Sequence, residues 1–401
     1  MSTTRTRDLT FDAAIAFAAE LIRIPSPPGA EGEVAGRVRV EMERLGFDEV
    51  WTDAVGNVIG RVTGRGDGPV VMLSSHLDVV DAGHAADWEH PPFGGVIADG
   101  FLHGRGAMDI KGPLALQTYA AARFVEDRPP GDVYAAHTVL EERGGWGMAH
   151  LLAAGEVEPD AVVIGESTHG DVCIGHRGRA EMIIEIVGRA AHASAPERAR
   201  NPLAMLPHVL EALDAFADEL GEDPILGRES AAPTDVEASP RSRNVIPERA
   251  RVILDWRVLP GRDAEEVVGR VRSALDARIS LPPGYTLEVR FERERQTTYT
   301  GREGVRPLFT PGFLLDPDHA VARAAASAIA DATGRTPEVR PWTFATDGGH
   351  SCGEYAIPTI GYAPGEERFA HTARERLELD RAREAYAAYP SLVAAVQRAA
   401  R

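Results

Sequence analysis

The stretch Val70-Val-Met-Leu-Ser-Ser-His-Leu-Asp78 joins a short apolar run to a histidine and an aspartate. A run of this length, bounded by turn residues, is typical of a buried strand. Side chains two positions apart point the same way in an extended chain, so Asp78 could hydrogen-bond the imidazole of His76. A histidine near an aspartate is also common on protein surfaces. The stretch therefore predicts a strand with polar side chains at its carboxyl end, and alone it decides no chemistry.

Strands and helices alternate around this stretch. Short apolar runs bounded by turn residues recur, with helical patterns before and between them. The predicted strands are 57–62, 70–74, 133–140 and 161–165, and the predicted helices are 11–22, 31–45, 111–124 and 147–154. Alternation of this kind indicates an α/β fold whose sheet is mixed and largely parallel.

The pattern changes near Gly175 and returns after Arg295. Between these points the order is strand, helix, strand, strand, helix, strand, which is the ferredoxin-like order. The predicted elements of this segment are 180–187, 202–220, 234–238, 249–258, 264–277 and 286–292. The later ones are a helix at 318–333, strands at 337–340 and 358–362, and a closing helix at 381–398. We therefore predict an α/β domain of residues 1–177 and 294–401, interrupted by an inserted α+β domain of residues 178–293.

Composition narrows the class of protein. The 401 residues include 43 basic and 61 acidic side chains, a net charge of −18, which repels nucleic acid and anionic membrane surfaces. Apolar runs stay below the roughly 18 residues of a membrane span, and the N-terminus lacks a secretory hydrophobic core. The only cysteines, Cys173 and Cys352, support neither a disulfide framework nor a zinc-thiolate site. We expect a cytoplasmic location and no nucleic-acid or membrane partner.

Polar side chains follow several of the predicted strands. Asp109 opens a helix within Gly104-Arg-Gly-Ala-Met-Asp109, Glu166 ends another strand, and His371 follows a later strand and loop. Asp109 alone could be an N-cap. Because ligands gather at the carboxyl ends of strands in an open α/β sheet, we expect these side chains and His76 to lie together. Nitrogen and oxygen ligands suit zinc, with cobalt or manganese as possible substitutes.

Glu141 and Glu142 are adjacent at the end of the run 133–140 and are followed by Arg143 and two glycines. Two neighbouring carboxylates without a cation are costly, so we expect one to bind a metal or to be hydrogen-bonded and the other to serve as a base. Neighbours in an extended chain face opposite sides, which would allow different roles. Two solvated glutamates remain the alternative.

The whole set of motifs closely resembles the M20 family of metallopeptidases, which contains carboxypeptidase G2, aminoacylase-1, acetylornithine deacetylase and succinyl-diaminopimelate desuccinylase. The resemblance covers nearly the whole chain and looks closest to the YgeY-like branch, for which it implies no secure substrate. The motifs, in the family's order, are SSHLDVV, GRGAMDIKGP, the glutamate pair, GES, GRAAHASAP, NVIP, DWRVLPG, TDGGH and AHT.

The resemblance implies a zinc-peptidase-like catalytic domain with two zinc ions per chain, Co²⁺ or Mn²⁺ being possible. In it, Asp109 bridges the two metals. The resemblance also implies the remaining roles: His76 and Glu166 complete one site, Glu142 and His371 complete the other, Glu141 is the general base that activates a metal-bound water, and Asp78 orients His76.

The insert resembles the family's lid, which usually also forms a homodimer interface. His192 matches the lid histidine that reaches into the partner subunit's active site and stabilises the tetrahedral oxyanion. Asn244 and Arg257 match lid positions that contact substrate, and a guanidinium can hold a carboxylate through two parallel bonds. Without the resemblance, His192 would be interpreted as an exposed histidine, and Arg257 as a surface arginine.

Two positions bear on the substrate. Glu166 favours acyl-amino-acid amidohydrolases and carboxypeptidases, because the family's di- and tripeptidases mostly carry aspartate there. Gly349, followed by His350 and Ser351, stands where desuccinylase-like members have arginine, which speaks against succinyl-diaminopimelate. We expect a small anionic amide such as an N-acyl amino acid, cleaved in a deacylase or desuccinylase reaction. The alternatives are a metallo-carboxypeptidase or dipeptidase, a single-metal enzyme, and a binding protein that kept the fold.

Overall fold

A computed structural model describes residues 7–400, which form two compact units. Of the described residues, the first unit contains 7–175, Gln296–Gly304 and 314–400, and the second contains His176–Arg295 and Val305–Phe313. The second unit is therefore an insertion in the chain of the first. No helix among residues 7–400 is both long and apolar enough to cross a membrane.

The first unit begins with two helices and a run of strands. The elements before the insert are α1 (Phe11–Ile22), α2 (Gly32–Leu45), β1 (Glu49–Thr52), β2 (Val58–Val62), β3 (Val71–His76), α3 (Lys111–Ala122), β4 (Val133–Thr138), α4 (Trp146–Ala154), β5 (Ala161–Ile164) and β6 (Val172–Cys173). Local sequence sets these bounds: the Thr10 side chain accepts a hydrogen bond from Ala13 and caps α1. Gly46, with φ of 79°, ends α2 in the left-handed conformation that glycine adopts without strain.

The second unit has the predicted order of elements. They are β7 (Gly178–Val187), α5 (Leu206–Asp218), β8 (Ser230–Ser239), β9 (Arg249–Val258), α6 (Ala264–Arg278) and β10 (Thr286–Phe291). The antiparallel sheet runs β8-β9-β7-β10, so β8 is an edge strand. Buried residues alternate along β9, as expected for a sheet with one covered face.

The two largest differences from the predicted bounds in the second unit both involve proline. The expected helix 202–220 is a 3₁₀ turn, Pro202–Met205, followed by α5, because Pro207 lacks an N–H and is tolerated only in a first helical turn. The expected strand 234–238 extends over β8, whose register shifts between Pro233 and Asp235. An edge strand tolerates proline there.

The domain boundary also differs from the prediction. Residues 305–313 were assigned to the α/β domain, but they lie with the second unit. Phe309 and Thr310 pair with Ala180 and Arg179 of β7, and the Phe309 ring lies 5.1 Å from the Phe291 ring. A two-residue strand gives too little periodicity to be recognised in sequence.

The chain then completes the first unit. The remaining elements are α7 (Ala320–Thr333), β11 (Val339–Arg340), β12 (Thr359–Gly361) and α8 (Leu379–Ala399). The main sheet runs β1-β2-β4-β3-β5-β12-β6-β11. Strands β4, β3, β5 and β12 are parallel to one another. The pairs β1–β2, β2–β4 and β12–β6 are antiparallel. The prediction of a mixed, largely parallel sheet is confirmed.

Burial in the first unit explains its apolar sequence. All twelve residues of α3 are buried, as is typical of a helix that is apolar on every side. All six residues of β3 are buried too. Because β3, β4 and β5 are neighbouring parallel strands, the loops that follow them meet at one edge of the sheet.

Candidate metal centre

His76 is the last residue of β3 and is 2% exposed. Its Nδ1 lies 2.8 Å from the backbone oxygen of Asp78 and 3.6 Å from the nearer carboxylate oxygen. The hydrogen bond that orients the imidazole is therefore made by the backbone carbonyl of Asp78, and the carboxylate lies at ion-pair distance. With the proton on Nδ1, the lone pair of Nε2 points into the site and can bind a metal.

The Asp78 carboxylate has a different function. It is fully buried and accepts the backbone N–H groups of Glu141 and Glu142, each at 3.1 Å. These bonds hold the glutamate pair next to His76. Burial raises the pKa of Asp78 to about 7.

Asp109 lies between two imidazoles. Its Oδ1 is 3.1 Å from His76 Nε2, and its Oδ2 is 3.2 Å from His371 Nε2. It is not the N-cap of α3, because that position is Ile110, whose side chain makes no capping bond. The peptide bond between Asp109 and Ile110 is cis. A carboxylate with one oxygen toward each imidazole has the arrangement of a bridging ligand.

Glu141 and Glu142 lie in a short 3₁₀ turn with Arg143, not at the end of an extended strand. Leu140, with φ of 56°, turns the chain after β4, so the alternation expected of extended neighbours does not apply. Glu142 Oε1 is 3.0 Å from His371 Nε2. In each of two groups, the potential ligand atoms all lie within 4.8 Å of one another: His76 with Asp109 and Glu142, and His76 with Glu141 and Glu166.

Glu166 and His371 complete the cluster. Glu166 follows β5, is 4% exposed and places Oε1 3.3 Å from His76 Nε2. His371 lies in a loop that follows β12. Its backbone φ is 59°, and its side chain is 52% exposed. The four nitrogen–oxygen pairs follow one grouping, His76 with Asp109 and Glu166, and His371 with Asp109 and Glu142.

The spacing of these atoms fits divalent cations. Metal–ligand bonds of about 2.0–2.2 Å in tetrahedral geometry separate neighbouring ligand atoms by roughly 3.3–3.6 Å. The nitrogen–oxygen separations of 3.0–3.3 Å are close to that spacing. Imidazole nitrogen with carboxylate oxygen is also a donor set that zinc accepts.

The electrostatics of the cluster also favour a cation. Burial raises the pKa of Glu141 well above its usual range and that of Glu166 to about 7. Hydrogen bonds from His371 and His76 outweigh burial at Asp109 and lower its pKa, while those to Asp109 and Glu142 raise the pKa of His371 to about 10. Without a metal, the cluster thus holds protons that a cation would displace.

Comparison with known proteins identifies the family. Residues 72–395 match the model of peptidase family M20/M25/M40. The chain belongs to the M20 family. It is therefore a hydrolase, and the resemblance based on its motifs is confirmed.

Relatives of known sequence cover nearly the whole chain. The uncharacterized protein YgeY of Escherichia coli K12 is 31% identical over 90% of this chain and 88% of its own length. The succinyl-diaminopimelate desuccinylase of Methylorubrum populi is 32% identical over 92% and 95%. The fold is also that of the Bacillus subtilis YXEP protein, a dinuclear metal binding peptidase of the M20 family. The two structures share a TM-score of 0.68 at 18% identity, over 97% of this chain and 99% of that one.

Several buried polar residues near the cluster were not predicted from sequence. Asp347 accepts a hydrogen bond from Thr138 at 2.8 Å, and burial raises its pKa. His350, 3% exposed, has Nε2 3.1 Å from the Gly144 carbonyl. A Cβ on Gly145 would lie 2.7 Å from His350 and Asp347, so glycine is required there. The TDGGH motif contains two of these residues, but no strand-end pattern singled them out.

The residues expected in the lid all lie in the second unit. His192 is exposed in a short strand paired with Val245, and the Asn244 carbonyl accepts the N–H of Ala193 at 2.9 Å. The structure thus brings His192 and Asn244 together at one exposed pair of short strands. Arg257 lies in β9 and donates to Asp255 at 2.8 Å, so its guanidinium already has a carboxylate partner.

Proposed function

We propose that this M20-family protein is a di-zinc-dependent amidohydrolase that cleaves the amide bond of a small N-acyl amino acid or related anionic amide. The observation that carries the proposal is Asp109, whose two oxygens lie 3.1 and 3.2 Å from two different imidazoles. His76 and Glu166 would hold one ion, and Glu142 and His371 the other. The Bacillus subtilis YXEP protein, a dinuclear metal binding peptidase of the same family, supports two ions over one.

Two bound ions would supply Lewis acidity to the substrate carbonyl and lower the pKa of water at the centre. The chain supplies the remaining chemistry. Glu141 is half-buried beside the cluster, with its carboxylate near His76 and Glu166, whereas Glu142 contacts His371. A desolvated carboxylate with a raised pKa suits a base that takes a proton from water and passes it to the departing amine. The Asp78 carboxylate positions Glu141 through its backbone N–H.

Substitution of Glu141 tests this assignment. Glu141→Gln keeps the size of the side chain and removes its basicity, so kcat should fall by about 10²- to 10⁴-fold. Metal content, measured by elemental analysis, should stay near that of the unmodified protein.

The neighbouring glutamate provides the matched control. Glu142→Gln removes the negative charge of a carboxylate that contacts His371, so it should lower both metal content and activity. If Glu141→Gln retained wild-type turnover, or lost metal as Glu142→Gln does, the role of Glu141 as base would be refuted.

For the substrate, we propose an acyl amide over a peptide. The 32% identity to a desuccinylase supports this class, and the glutamate at position 166 favours amidohydrolases and carboxypeptidases over di- and tripeptidases. Gly349 in place of the desuccinylase arginine speaks against succinyl-diaminopimelate itself. Structural likeness to an M20 peptidase keeps a carboxypeptidase or dipeptidase as the second candidate. Comparison of kcat/KM over N-acyl amino acids and dipeptides separates the two.

We propose further that the second unit is a lid that pairs two chains, with His192 acting in the partner's active site. The family resemblance supports this, as do the exposed position of His192 beside Asn244 and the ten-residue edge strand β8. An uncovered edge strand offers unpaired N–H and C=O groups to a second chain. Arg257 would reach substrate only after leaving Asp255. Zinc as the native metal and the cytoplasmic location stay predictions.

A further inference from the structure

Glu375 is a fully buried carboxylate that lies four residues after His371. Its Oε1 accepts the backbone N–H groups of Met108 and Asp109, each at 3.2 Å. Its Oε2 pairs with the guanidinium of Arg105. The Glu375 side chain therefore contacts the turn that carries Asp109, while Glu375 itself belongs to the loop that carries His371.

Arg105 extends this connection to a third segment. It is 2% exposed, donates through Nη2 to the Asp81 carbonyl at 3.2 Å, and lies over the Trp88 indole at 5.1 Å. Asp81 follows the segment of His76 and Asp78. The ion pair thus contacts the three segments that carry His76, Asp109 and His371.

The loop of His371 needs such an anchor. His371 is half-exposed and has a positive φ, in a region without long regular elements. After Glu375 the chain pairs again, where Arg376–Glu378 lies antiparallel to Phe101–His103. Glu375 is therefore the side chain that connects this loop to the Asp109 turn just before the strand pairing begins.

We propose that Glu375, held by Arg105, is a positioning residue that fixes the distance between Asp109 and His371. It does not belong to either group of potential metal ligands. The pairing with Arg105 also neutralises its charge, which would otherwise repel the carboxylates of the centre. The proposal rests on the proposed function, because the distance matters only if both residues hold cations. Groups behind metal ligands commonly change metal affinity by about 10- to 100-fold.

Cobalt titration of metal-depleted protein tests this role. Glu375→Gln keeps an acceptor for the two N–H groups and removes the ion pair with Arg105. The dissociation constant of the more weakly bound Co²⁺ should rise about tenfold or more, and the visible Co²⁺ absorption spectrum should change. Glu378→Gln is the matched control, since Glu378 is exposed on the short strand that follows Glu375, and it should leave both readouts unchanged.

If Glu375→Gln does not fold, Arg105→Lys carries the same test, because lysine keeps the charge and loses the planar fork. A Co²⁺ dissociation constant within twofold of wild type together with an unchanged absorption spectrum in the folded variant would overturn the proposal. Equal changes in Glu378→Gln would overturn it too. Binding of fewer than two cobalt ions by the unmodified chain would count against the proposed function instead, so the two failures are distinguishable.

Discussion

Asp78 acts through different atoms on two parts of the centre. Its carbonyl oxygen orients His76, and its carboxylate binds the backbone of Glu141 and Glu142. A variant such as Asp78→Asn would keep the first interaction and weaken the second. At the scale of single residues, the position of the glutamate pair therefore depends on a side chain that the prediction had assigned to the histidine.

The proton held by His371 predicts a pH dependence in metal-free protein. Its hydrogen bonds to Asp109 and Glu142 raise its pKa to about 10 in the folded chain, whereas an unfolded histidine titrates near pH 6.5. The stabilisation is complete below about pH 6.5 and is lost as pH rises through about 10. We expect the melting temperature of chelator-treated protein, measured by scanning fluorimetry, to fall over this range.

The melting temperature of metal-loaded protein should fall less over this pH range, because cations replace the proton on His371. His371→Ala should flatten the profile of the chelated protein, while His208→Ala, at an exposed position of α5, should not. A melting temperature of chelated wild-type protein that stays constant between these pH values would contradict the assignment.

The sequence identified the residues of the cluster by type and place, but not their partners. His76, Asp109 and Glu166 stood out because a strand end or a glycine-rich turn precedes each of them. Glu375 and Asp347 lie in irregular segments far along the chain, so nothing local distinguishes them from surface acids. Their contacts depend on tertiary structure, which one sequence does not reveal.

At the scale of elements, strand β12 is packed against an indole. A Cβ on Gly361 would lie 1.9 Å from the ring of Trp342, whose N–H donates to the Ser167 carbonyl at 2.9 Å. Gly361→Ala should displace the indole and reduce the free energy of unfolding by about 1–3 kcal/mol. Urea denaturation followed by circular dichroism measures this loss.

Gly36→Ala is the matched control on a helix. Gly36 lies exposed within α2, and an added Cβ would have no neighbour within 4 Å. Alanine there should stabilise the protein by about 0.5–1 kcal/mol. Equal changes in the free energy of unfolding for Gly361→Ala and Gly36→Ala would show that the close packing of β12 against Trp342 does not require glycine at position 361.

The α/β class and the order of elements could be predicted because apolar periodicity is local. The lateral order of strands could not, since β12 lies between β5 and β6 although the whole second unit separates it from them in sequence. The same limit explains residues 305–313, whose membership of the second unit depends on pairing with β7.

At the scale of the whole molecule, the proposed dimer can be tested by complementation. His192→Ala and Glu141→Gln should each be nearly inactive, because each removes one group from every site. If His192 acts across a twofold interface, equal amounts of the two variants, unfolded and refolded together, should recover about a quarter of wild-type activity.

The control is a mixture in which the same chain carries both substitutions alongside Glu141→Gln, which should recover nothing. Activity that stays absent in the first mixture, while light scattering shows dimers, would mean that His192 does not act in the partner's site.

The position of β12 in the sheet also bears on biosynthesis. Ribosomes release β5 and β6 long before Thr359–Gly361, and the whole second unit is translated in between. During translation, the edge of β5 that will pair with β12 therefore stays unpaired. All four residues of β5 are buried in the finished protein. Chaperones that bind the nascent chain should bind at this unpaired edge of β5. Their binding should end only once β12 has been inserted.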